Sequence, residues 1–217
     1  MKVKPFGRSN ALLIASFIFL CSSGTFAQRT PAPEPTFPPI RWISYGGDMR
    51  AFLGHLAQSY DATIGFETDL LQPQSDISLD VKTPTIDMVI DAVVKSKPIY
   101  GWRRDGRAID VYPNQNSSPF LETVIPSFEV SEVPKHQAVG RLFVQTEVRE
   151  ALERLGMSWA DYPRLEGNTE SRITIKSQGL TVRQLLHQIA SQSGARFWVF
   201  GRSGPRGEKC TFELTGK

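Results

Sequence analysis

Cysteine and histidine are both scarce in this chain. There are two cysteines, Cys21 and Cys210, and three histidines, His55, His136 and His187. No two histidines stand at i, i+3 or i+4, and nothing matches a zinc signature, so no metal or other cofactor is expected. The histidines fall in predicted helices among polar neighbours, off the apolar stripe, and are read as solvated. No Gly-rich phosphate loop follows a strand, no Gly-x-Ser-x-Gly occurs, and no Ser or Cys has a signalled base, so nothing points to an enzyme. Net charge is also lacking. The formal value of +3 comes from Lys2, Lys4 and Arg8, and the remaining 22 basic residues balance 22 acidic ones. A nucleic acid or other polyanion partner has no support from that balance.

Long apolar runs are absent too. Ala11–Leu20 is about half of the ~20 residues that a spanning helix needs. Preceded by the three basic residues and followed by Thr25-Phe26-Ala27, it reads as a secretory signal over residues 1–27. Export to a periplasm is expected, with no membrane span after cleavage. Leu20, directly before Cys21, is too bulky for a lipobox. Cleavage after Ala27 would leave Cys210 as a lone thiol on a half-buried strand, so the fold must rest on its apolar core.

Residues 28–39 (QRTPAPEPTFPP) read as a Pro-rich, extended linker. From residue 40 the pattern is strand Ile40–Tyr45, a helix over Met49–Tyr60 capped by Asp48, and a strand at Ala62–Glu67. There follow the alternating strand Ile77–Val81, a helix begun at Thr85 and stopped by Pro98, and a hairpin turned at Asp105-Gly106. This grammar then returns. Shifted by 96 positions, Ile77 falls on Ile173, Thr85 on Thr181, Val93 on Ile189 and Trp102 on Trp198. Helix Asp48–Leu56 falls on Pro134–Leu142 at a shift of 86, so an insertion of about ten residues lies between the two anchors, and the helical pattern Val144–Leu155 carries it. The fold class is α+β: two tandem small β-α-β-β-α-β-β modules, with a helical insertion in the second. The expected boundaries are 40–113 for the first module, 114–126 for a linker and 127–217 for the second.

The stretch Ser44-Tyr45-Gly46-Gly47-Asp48-Met49-Arg50-Ala51-Phe52-Leu53-Gly54-His55-Leu56-Ala57, with Ile64-Gly65-Phe66, Ile77–Val81 and Thr85–Pro113, resembles the short N-terminal domain shared by secretins and TonB-dependent transducers. Phe128–Leu142 with Ile173–Leu214 looks like a second, more divergent copy. The resemblance implies two helices sandwiched with small sheets and a periplasmic docking role. Its implied partners are envelope proteins: a secretin, a TonB-dependent protein or a signalling component. No pore-forming segment follows the second copy here, so any channel is expected from another polypeptide.

Two basic clusters recur at the hairpin turns, Arg103, Arg104 and Arg107 at the first and Arg202 and Arg206 at the second, with Lys209 beside them. They are candidate partner-binding residues for acidic surfaces or anionic glycans; protection of strand edges is the plainer reading. Trp102 and Trp198 are expected to anchor the core against the second helix of each copy. Glu67, Asp69, Asp76 and Asp80 are expected on wet strand and loop faces. The functional expectation is a non-catalytic adaptor. The alternative is a small envelope glycan-binding protein or cell-wall hydrolase.

Overall fold

The computed structural model describes residues 42–69, 76–82, 84–115, 117–161, 163–165 and 171–216. The signal segment, the Pro-rich linker and the loop at Gln72-Pro73-Gln74 lie outside the described residues. The fold is mixed α and β, with five helices and several sheets among the described residues. No helix among them is long and apolar enough to cross a membrane.

Strand β1 (Trp42–Gly47) leads into α1 (Met49–Ser59). The Asp48 carboxylate accepts from the Ala51 amide at 2.8 Å, satisfying one of the free donors at the helix start. The buried face of α1 is Met49, Phe52, Leu53, Leu56 and Ala57; Tyr60, expected as the last residue of the helix, is the half-buried C-cap instead. Strands β2 (Thr63–Asp69) and β3 (Ile77–Lys82) follow, β3 pairing antiparallel with β1. Helix α2 (Ile86–Ser96) is capped by the Thr85 hydroxyl, which accepts from the Met88 amide. Strands β4 (Tyr100–Asp105) and β5 (Ala108–Pro113) close a hairpin in which Asp105 pairs with Ala108. The turn is therefore Gly106-Arg107, one residue later than expected. Positive φ at Gly106, with none at Arg107, fits a II′ turn.

A 3-10 turn at Pro119–Glu122 precedes β6 (Val124–Pro134). Phe120, Leu121 and Ile125, within the stretch read as linker 114–126, are core residues. Helices α3 (Lys135–Phe143) and α4 (Thr146–Arg154) come next, with the short strands β7 (Ser158–Trp159) and β8 (Arg164–Leu165) where the sequence pattern was silent. Strand β9 (Arg172–Thr181) pairs antiparallel with β6 across a bulge between Val130 and Val133. Helix α5 (Val182–Ser193) opens on a capping box, Thr181 with Gln184, and closes on Gly194 in the left-handed conformation that glycine adopts without steric cost. Strands β10 (Phe197–Ser203) and β11 (Lys209–Thr215) end the described chain.

The two halves share one sheet. Its order is β4-β5-β2-β10-β11-β7, with β8 also on β11. The junction is a parallel pairing of β2 with β10 through six register pairs, from Phe197↔Ile64 to Arg202↔Asp69. Because β4 runs antiparallel to β5, while β5, β2 and β10 are mutually parallel, β4 and β10 run in opposite directions. The strand faces alternate accordingly. Ile64, Phe66, Val111, Phe197 and Val199 join the core of α1 and α2, whereas Trp198, Phe200, Phe212 and Leu214 join that of α3, α4 and α5. The helices of each half thus cover opposite faces of a common sheet. Gly65 permits this, since the Trp198 indole occupies the space where a side chain at 65 would stand.

Candidate functional site

The expected arginine clusters are not one surface. With β4 and β10 opposed, their turns lie at opposite ends of the sheet. Three of these five arginines are paired with carboxylates. Arg103 donates to Asp110 at 3.2 Å and to Glu122 at 2.8 Å, and its guanidinium stands 5.7 Å from the Tyr112 ring centre. Arg104 spans both oxygens of Asp87 at 3.0 Å, and Arg107 donates to Asp61 at 2.7 Å. Arg202 is half-buried, and Arg206 is exposed, its amide donating to Glu208.

Glu67, expected on a wet face, joins a buried charge network instead. Glu67 on β2 is fully buried, and Arg183 on α5 donates to it at 3.0 Å. Arg183 also reaches Asp110 at 3.4 Å and Glu122 at 2.8 Å. Ser118 reaches Glu67 through its backbone amide and Ser117 through its hydroxyl. Burial alone would lower the Arg183 pKa, but Asp110, Glu67 and Glu122 hold it above the ordinary value. Burial likewise raises Asp110, but the hydrogen bond from His187, the charge of Arg183 and the hydrogen bond from Arg103 outweigh it, leaving a lowered carboxyl. Asp76 and Asp80 are exposed as expected.

His187 is buried, contrary to the solvated face expected for it, while His55 and His136 are exposed. Its Nε2 lies 2.8 Å from Asp110, and its Nδ1 accepts from the Trp198 indole at 3.4 Å. In the first half Trp102 donates to Asp91 of α2 at 2.8 Å. Asp91 and His187 are themselves 96 apart, so each tryptophan leans on the same position of its helix. Trp198 is wholly buried and Trp102 only partly. Both ring nitrogens of His187 are engaged, and the Asp110 carboxylate is also bound by Arg103 and Arg183. The cleft above it, about 540 Å³ between the first hairpin and α5, is lined by Arg103, Asp110, Glu122 and Arg183, which are paired with one another, and by Asp105. Cys210 is buried deeper than the half-buried position expected, donating to the Ser158 carbonyl, and burial pushes its thiol up to about 12. Among the described residues no cluster of three or more His, Cys, Asp or Glu could hold a metal ion.

An outward-facing apolar surface lies between α3 and α4. A groove of about 860 Å³ is walled by Phe143, Val144, Leu152, Met157 and Trp159, with Gly140 at its lip. Val144, the C-cap of α3, is 67% exposed, the highest value among the exposed large hydrophobics. The helical stretch read as an insertion builds one wall, because α4 turns Val148, Ala151 and Leu152 inward and leaves Arg149 and Glu153 on the rim. Sequence reasoning missed this groove and the Glu67–Arg183 pair. The available signal was Arg183 and His187 at i, i+4 on a helix whose apolar stripe was already full.

No family model matches the chain, and no curated protein or solved structure does either.

Proposed function

We propose that this chain is a periplasmic, non-catalytic adaptor of two module copies, each resembling the short N-terminal domain of secretins and TonB-dependent transducers, that docks envelope protein partners. The observation that carries the docking reading is the open apolar groove between α3 and α4, since exposed apolar surface rimmed by charge is characteristic of protein-binding sites. The duplication reading is supported by residues doing equal work at a separation of 96. Thr85 and Thr181 cap their helices onto Met88 and Gln184, and the two tryptophans donate to Asp91 and His187. The order β-α-β-β-α-β-β over residues 42–113, with β1–β3 as a separate two-stranded sheet, fits the sandwich that the resemblance implies.

The glycan-binding or hydrolase reading would use the cleft beside Asp110 and Glu122. Its arginines are already committed to carboxylates there, which leaves this reading the weaker one. Cross-linking of the exported protein in intact cells, followed by recovery from the envelope, tests the proposal. One enriched envelope protein, a secretin, TonB-dependent or signalling component, is expected. Recovery of cell-wall fragments with no protein would overturn it.

A further inference from the structure

Helices α1 and α3 present the same face. The buried positions Met49, Phe52, Leu53, Leu56 and Ala57 recur 86 residues later as Lys135, Ala138, Val139, Leu142 and Phe143. Gly54 and Gly140 are equivalent positions beside that face, 86 residues apart, yet their surroundings differ. A Cβ at Gly54 would lie 3.0 Å from the ring of Phe197, the first residue of the strand that adds beside β2. At Gly140 nothing lies within 4 Å, and the helix opens onto the apolar groove. The strands match as well: β7 and β8 lie parallel to β11 as β2 lies parallel to β5. The groove therefore borders the sheet edge that, in the first half, receives β10 and its phenylalanine.

We infer that the groove at Gly140 binds an aromatic side chain carried on an extended segment of another protein, as α1 receives Phe197. The inference rests on the adaptor reading and names its docking site. An aromatic residue suits the site, since it buries about 150–250 Å² and packs against rings such as Phe143 and Trp159, whose centres stand 4.5 Å apart. A second copy of this chain is the wrong occupant. Its strand β4, at the end of the sheet, carries Gly101 where β10 carries Phe197, and Arg103 where β10 carries Val199. At those two positions the edge brings no ring and sets a charge opposite an apolar wall.

The test titrates ¹⁵N-labelled protein with the peptide acetyl-Lys-Thr-Phe-Thr-Val-Thr-Lys-amide and with its counterpart carrying Gly for Phe. Saturable shifts are expected at Gly140, Val144, Met157 and Trp159, with the Gly peptide about tenfold weaker or worse. Gly140→Leu, at an exposed helix position, fills the lip from within and should weaken the Phe peptide by a similar factor while leaving the melting temperature at or above wild type. Equal affinity for both peptides, shifts confined elsewhere, or a dimer in sedimentation that protects Val144 would overturn the inference. Cross-linking with Gly140→Leu separates the two proposals. If it recovers the same envelope partner as wild type, the groove assignment falls and the adaptor reading stands. If the Phe peptide binds the groove but no envelope protein is recovered, the adaptor reading falls and the groove remains.

Discussion

Gly65 on β2 and Trp198 on β10 are register partners across the junction of the two halves, and the indole fills the volume above the glycine. A Cβ at position 65 would lie 2.2 Å from the ring. The tryptophan has no room to yield, being wholly buried with its N–H turned toward His187. Gly65→Ala is therefore expected to destabilise by about 3 kcal/mol, the upper range for one added carbon in a packed core. For a chain of this size the melting temperature should fall by roughly 6–12 °C. A thermal melt followed by circular dichroism measures it, and an unchanged midpoint would contradict the packing.

The Glu67–Arg183 pair predicts strong non-additivity. Arg183→Met leaves a fully buried carboxylate without its main partner and should cost about 3–5 kcal/mol. Adding Glu67→Met removes the orphaned charge and should restore more than half of that loss. Urea denaturation of the two single variants and the double variant completes the cycle. Additive losses would show that the two side chains do not depend on each other.

Acid should loosen the network from the Asp110 side. Its carboxyl is held below the ordinary value of 3.8, so the folded state takes up a proton less readily than the unfolded chain. The resulting stabilisation is fully present above about 3.8 and is lost as pH falls through the lowered folded value. Urea midpoints measured between pH 6 and pH 2.5 should drop more steeply for wild type than for Asp110→Asn. Parallel curves would remove Asp110 from the account.

Cys210 should resist thiol reagents while the protein is folded. Its thiol is buried and pushed from 9.0 up to about 12, which lowers the thiolate fraction about a thousandfold. Iodoacetamide at pH 8, read by peptide mapping, should leave Cys210 unmodified in buffer and alkylate it in denaturant. Rapid modification of folded protein would place the thiol in a far more open site.

The elements readable in the sequence are those whose causes are local. Asp48, Thr85 and Thr181 cap helices because a short side chain reaches an amide three residues on, and Ile77, Leu79 and Val81 alternate because a strand puts successive residues on opposite faces. The hairpin turn was displaced by one residue because cross-strand pairing, Asp105 with Ala108, overrode the Asp-Gly signal. Glu67 and His187 were misjudged for another reason. A polar residue on a strand or helix reads as wet unless its cover is known, and their cover comes from residues far along the chain, Arg183 for Glu67 and Asp110 for His187.

By itself the sequence determined the helices, the alternating strands, the recurrence at 96 positions and the equivalent tryptophans, all of which depend on neighbours within a few residues or on repetition. Only the tertiary structure decided that β2 and β10 pair in parallel, that the helices of each half take opposite faces of one sheet, and that the arginine-bearing turns point apart. It alone decided which of two equivalent glycines is covered. The physical reason is that strand pairing and burial are settled between segments more than a hundred residues apart, by which surfaces fit once the chain has closed, and residue order does not encode that contact locally.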